Sequence, residues 1–152
     1  MAPETLFSIC NTGVLPAWLL LVFLPRWKWT TQLITSVLVP GLLGLVYLYL
    51  AAMYFRSAEG SFGSLSGVAS LFENPHVLLA GWIHYLAFDL FIGSWEVRDA
   101  QRCGVRHWFV VPCLFLTLML GPVGLVVYLT IRAIATGNLQ ISAEATSPAA
   151  AP

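Results

Sequence analysis

Between Asn74 and Gly104 the sequence carries its densest set of groups able to move a proton: His76, His84, Tyr85, Asp89, Glu96, Asp99 and Cys103. His84 and Asp89 lie inside an apolar run that hydrocarbon could bury. An ionisable group at membrane depth is costly, so it usually faces the inside of a bundle and marks a site. At about 100° per residue on a helix, Tyr85, Asp89, Glu96, Asp99 and Cys103 fall on one stripe. His84 lies about 140° from Asp89 on the same wheel, alongside Phe88, Phe91 and Trp95. Asp89 and His84 are therefore not a local pair, and they cooperate only across a cavity or through other helices.

Residue type allows three readings of the stripe. Asp89 can be a desolvated carboxylic acid poised for acid–base work. It can instead be a bundle-holding acceptor for Asn11, Thr117 or a tyrosine, with Glu96 and Asp99 as solvated charges at the end of a span. The third reading is metal binding, but no spacing resembles the His-rich boxes of membrane di-iron enzymes, and no metal ligands are assigned. His76 reads as interfacial. Arg106 and His107 stand together at a positive face, where a headgroup or the polar end of a substrate would be met. Cys10, Cys103 and Cys113 form no CxxC pair and read as small apolar fillers.

The composition tells which solvent the scaffold sits in. Of 152 residues, 59% are hydrophobic and 9% are charged, and the mean hydropathy is +0.82. A soluble domain carries about a quarter charged residues, so this surface cannot all face water. A net charge of zero offers no basic field to nucleic acid. The N-terminus, Met1-Ala-Pro-Glu, lacks the positive region of a signal peptide, so the first apolar run reads as a retained span.

A spanning helix takes about 20 apolar residues, and four stretches supply them, at about 6–24, 32–55, 75–95 and 108–131. The expectation is an all-α integral membrane protein, a four-transmembrane-helix bundle over residues 1–136, with residues 137–152 a disordered tail. The third span opens at Asn74-Pro75, a cap followed by a first-turn proline. Past Trp95 it continues as water-exposed helix to Gly104, a stop signal. Pro16, Pro40 and Gly121-Pro122-Val123-Gly124 interrupt the first, second and fourth spans. Arg26, Lys28, Arg98, Arg102 and Arg106 fall on one side, Arg56 and Arg132 on the other. That bias predicts an N-out/C-out chain in a bacterial cytoplasmic membrane or a plastid membrane. Trp18, Trp27, Trp29, Trp95 and Trp108 gather near the positive side as an aromatic belt.

Arg26, Gly41, Gly44, Leu45 and Val46 recur 80 positions later as Arg106, Gly121, Gly124, Leu125 and Val126. Two tandem helical hairpins would produce this recurrence, and so would the ordinary frequency of Gly in membrane helices. The segment from Arg56 to Glu73 reads either as a plain loop or as an interfacial lid over a cavity.

From Trp82 onward the chain resembles the abscisic-acid-deficient-four-like family, four-span proteins of plastids and many bacteria. The likeness rests on Trp82-Ile83-His84, Asp89-Leu90-Phe91, Asp99, Gly104, Arg106-His107, the Leu114 region and Gly121-Pro122-Val123-Gly124. It holds only in outline over the first two spans. Plant members are required to make neoxanthin from violaxanthin, which opens an epoxide and forms an allene with no net redox change and no obligatory cofactor. The resemblance thus implies a role in carotenoid or xanthophyll metabolism, as a cofactor-independent isomerase of a carotenoid epoxide or related polyene. Its alternative is a non-catalytic pigment-binding or scaffolding subunit, as a homo-oligomer or beside a partner membrane enzyme. On the enzyme reading Asp89 is the expected acid and His84 the expected base. Trp82, Tyr85, Glu96, Asp99, Arg106 and His107 are then expected against the substrate. The partners are the lipid bilayer and the polyene, with no nucleic acid.

Overall fold

A computed structural model describes residues 2–138, 140 and 141. The expected tail, 137–152, therefore lies mostly outside the described residues. Helix α1 is Pro3–Phe23, opening on a proline whose missing N–H falls where no helical partner exists. Helix α2 is Thr30–Tyr54, and its first nine residues, Thr30–Leu38, are wound as a π-helix. Pro40 follows at once, and its lack of an N–H disturbs the ladder where the winding changes. Helix α3, Leu65–Glu73, is capped by Ser64, whose hydroxyl accepts from Gly67 N at 3.0 Å.

Helix α4, Pro75–Cys103, is the centre of the bundle and touches every other helix. Asn74 Oδ1 caps it, accepting from His76 N at 3.0 Å. It stops at Gly104, which takes φ +71°, a conformation that glycine adopts without steric cost. Val77, Ile83, Leu90 and Val97 are fully buried along it, and Trp18 of α1 lies where a Cβ on Gly93 would stand. Lipid gives helices no hydrophobic drive to associate, so such close approach through small residues holds them together.

Helices α1, α2 and α4 are long and apolar enough to cross a bilayer. Their exposed side chains, among them Leu19, Phe23, Leu42, Leu45 and Leu48, suit a lipid surroundings. The fourth expected span is different. It is broken into α5, His107–Leu120, and α6, Pro122–Thr136, by Gly121 at φ +50°. In one continuous helix residues 113 and 124 would stand about 16 Å apart along the axis. Instead a Cβ on Gly124 would come within 2.6 Å of the Cys113 carbonyl and collide with Thr117. The chain therefore folds back at Gly121 into a tight helical hairpin.

The four-span count is not confirmed: three helices are long and apolar enough to cross, and the fourth stretch forms a hairpin that turns beside Asp89, midway along α4. Same-side termini required a fourth crossing. With the hairpin, Arg132 returns to the end of α4 that holds Asp99, 2.7 Å away. Six of the seven cationic residues then share one face, with Arg56 alone on the other.

Candidate functional site

The carboxyl groups of α4 are arranged by the hairpin. Tyr85, Asp89 and Glu96 all reach the segment from Thr117 to Gly121 at its tip. The Tyr85 hydroxyl donates to Leu118 O at 3.1 Å. Asp89 lies against Gly121, where a Cβ would meet Oδ1 at 3.1 Å and Oδ2 at 3.3 Å. Only glycine admits both the turn and this approach of the carboxyl group. Thr117 donates to Glu96 Oε1 at 3.0 Å.

Two oxygens in this cluster have no partner among the described residues. Asp89 Oδ2 and Glu96 Oε2 are both buried and make no hydrogen bond. Leaving a buried polar group unsatisfied costs about 1–3 kcal/mol, so each of these oxygens, two turns apart on α4, calls for a partner or a role. Glu96 is fully buried. The reading of it as a solvated charge is therefore wrong, because the hairpin covers a length of α4 that would otherwise face water.

Asp99, one helical turn further, has its full complement. It accepts from Tyr128 Oη and Arg132 Nε, both at 2.7 Å, and from Arg102 at 3.0 Å. It too is buried rather than solvated. This ion pair clamps the returning limb of the hairpin. Tyr128 and Arg132 were not singled out from the sequence as partners of Asp99. Their spacing of one turn on α6, with a charge at the end of an apolar run, was the available signal.

The hairpin tip stops beside Asp89, so the other half of the α1–α4 flank is uncovered there. A groove of about 620 Å³ occupies that flank, walled by Phe7 and Ser8 of α1, Phe72 of α3, and Leu78, Trp82 and Tyr85 of α4. Phe7 lies 5.6 Å from Trp82, tilted by 44°, and Trp82 stands 5.4 Å from Tyr85. Trp82 Nε1 donates to Asn11 Oδ1 at 3.2 Å. Glu4 also lines it. Tyr85 borders both the groove and the carboxyl cluster, and Asp89 is one turn beyond it.

The remaining expected residues lie elsewhere. His84 is exposed on the flank towards α2, stacked at 4.4 Å on Phe88 and 5.7 Å from Tyr47. The structure does not bring it to Asp89. Arg106 and His107 are at the cationic end, where His107 Nε2 bonds Val22 O at 2.9 Å. About 22 Å of helix rise separates that end from Asp89.

A lipid-facing bundle with one central helix, a half-depth hairpin and a carboxyl cluster at its turn defines an all-helical membrane protein. A family model described as ABA DEFICIENT 4-like matches residues 5–128, and the chain belongs to that family. The protein named "Protein ABA DEFICIENT 4, chloroplastic", from Arabidopsis thaliana, is 29% identical over 141 residues. The match takes in 86% of this chain and 62% of that relative, so the chain spans less than two thirds of the relative's length. No solved structure matches the chain.

Proposed function

We propose that this protein acts on a carotenoid or related polyene inside the bilayer, as an acid–base isomerase of an epoxide-bearing end group. The observation that supports the reading is Asp89, a carboxyl group with an oxygen unpartnered among the described residues, one helical turn from Tyr85, which lines an apolar groove. Aromatic walls from Phe7, Phe72, Trp82 and Tyr85 suit a flat conjugated chain.

Asp89 alone supplies both proton transfers. One carboxyl oxygen gives its proton to the epoxide oxygen as the carbon–oxygen bond breaks. The other oxygen takes the proton from the neighbouring carbon as the new double bond forms. The carboxylic acid is regenerated, no redox partner is consumed, and His84 is not needed as a base. The Tyr85 ring and Gly121 flank the carboxyl group, and Glu96 supports the hairpin tip from the far side.

The test is pigment analysis of a host that accumulates epoxy-carotenoids and expresses the chain. New isomers are expected from the parent and are lost in Asp89→Asn at equal membrane abundance, since a positioned acid contributes about 10² to 10⁴ in rate. Normal conversion by Asp89→Asn overturns the reading. Unchanged pigment that co-purifies with both proteins supports the second reading, a pigment-binding subunit, which the aromatic groove by itself would allow.

The six-to-one basic asymmetry supports an N-out, C-in arrangement in a plastid or bacterial membrane. A C-terminal reporter active only in the compartment of the Arg26 loop is expected. A signal from the opposite compartment would mean a fourth crossing.

A further inference from the structure

We propose that the cationic end of the bundle holds a specific site for an anionic phospholipid, distinct from the groove. Two loops meet there, one joining α1 to α2 and the other joining α4 to α5. They enclose a cavity of about 490 Å³ lined by Pro25, Arg26, Gln101, Val105, Arg106 and other residues, none of them acidic. Gln101 Nε2 donates to Pro25 O at 2.7 Å, and His107 Nε2 bonds Val22 O at 2.9 Å. These bonds tie the end of α1 and the loop after it to α4 and α5, and Arg26 of one loop and Arg106 of the other line the same space.

The two guanidinium groups are not neutralised. Arg102 and Arg132 are both engaged by Asp99, whereas neither Arg26 nor Arg106 has a carboxylate partner among the described residues. Two cations facing one preformed space repel each other, and an anion between them relieves the repulsion. Guanidinium forks match the oxygens of a phosphate with paired hydrogen bonds.

A second cavity, of about 370 Å³, shares Gly104, Val105 and Arg106 with the first and continues along Phe109, Ile131, Ile134 and Ala135. A polar cavity bearing two arginines thus runs into an apolar cavity on the flank of α5 and α6. That pairing fits one amphiphile, with its phosphate between Arg26 and Arg106 and an acyl chain along Ile131 and Ile134. Free phosphate would fill only the first half.

Thermal unfolding of the protein in neutral detergent tests this. Added dioleoylphosphatidylglycerol is expected to raise the midpoint by several degrees, with little change from dioleoylphosphatidylcholine and a smaller rise from inorganic phosphate. Arg26→Gln with Arg106→Gln should abolish the phosphatidylglycerol response, while Arg56→Gln at the opposite face keeps it. Equal responses to the two lipids, or a response retained in the double variant, overturn the proposal. A full response to inorganic phosphate alone overturns the lipid assignment. Mass spectrometry of lipids carried through purification of the unaltered protein needs no variant. Enrichment of anionic over zwitterionic phospholipid relative to the source membrane is expected, and equal proportions count against the site.

Discussion

Helix α4 has two polar seams, and they are built to opposite rules. Towards α2 the seam is made of hydroxyls, and each of them has a partner. Thr35 donates to Thr30 O at 2.8 Å, and Ser94 Oγ lies 2.8 Å from Thr35 Oγ1 and 2.7 Å from Ser36 Oγ. The π-helical winding leaves the Thr30 and Thr31 carbonyls to hydroxyls five residues on. Towards the hairpin the seam is made of carboxyl groups, and two oxygens are left without partners among the described residues. A neutral network with all its bonds made fixes two helices at little electrostatic cost. A carboxyl cluster with bonds unmade costs stability and keeps chemical capacity.

The largest effect expected from breaking this contrast comes at Gly124. A Cβ there meets backbone as well as the Thr117 side chain, and backbone cannot step aside. Gly124→Val should splay the hairpin and leave little folded protein by size-exclusion chromatography in detergent. Gly44→Val, a glycine with open space around it, is the control and should fold normally.

Next in size is the clamp at the end of the carboxyl seam. Arg132→Gln leaves Asp99 buried with only Arg102 and Tyr128, and breaking a buried pair costs about 3–5 kcal/mol. A marked fall in the unfolding midpoint is expected, with recovery when Asp99→Asn is added, because the buried charge, left with only the half-exposed Arg102, is then gone. No recovery would mean that Arg132 acts through its bonds to Asn138 O and Gln140 O.

Ser94→Ala tests the satisfied seam. Hydroxyls between membrane helices contribute on average about 0.6 kcal/mol, and Thr35 and Ser36 keep their own carbonyl acceptors. A small drop in midpoint is expected, with no change in pigment conversion. Smallest of all on stability is Glu96→Gln, which keeps an acceptor for Thr117 and places a neutral amide where an unpaired carboxyl oxygen stood. An unfolding midpoint closer to the parent's than that of Ser94→Ala is expected. A large loss would show that Glu96 Oε2 has a partner in the membrane.

Much of α4 was legible in the sequence, because its signals are local. Asn74-Pro75 and Gly104 mark its ends by backbone chemistry, and a fixed angle per residue places Tyr85, Asp89, Glu96 and Asp99 on one stripe. The same angle separates His84 from Asp89, and the two remain apart in the fold. The hairpin was not legible. Hydropathy records only that residues 108–131 prefer lipid, and that preference is equal whether the helix runs on past Gly121 or turns back. The glycines and proline there mark a break without giving its angle. Losing the turn also misplaced Arg132 and left Glu96 and Asp99 in water, since only the returning limb covers them.

The groove has a further consequence for how occupancy is counted. Phe7, Leu78 and Trp82, which line it, are exposed on helices long and apolar enough to cross a bilayer, so on the proposed function an apolar occupant would arrive by lateral diffusion within the membrane. The quantity that governs binding is then the mole fraction of that molecule among lipids, and its molarity in the aqueous phase is irrelevant. Adding empty lipid to proteoliposomes at constant total polyene should lower occupancy by dilution in two dimensions. Adding buffer should leave it unchanged.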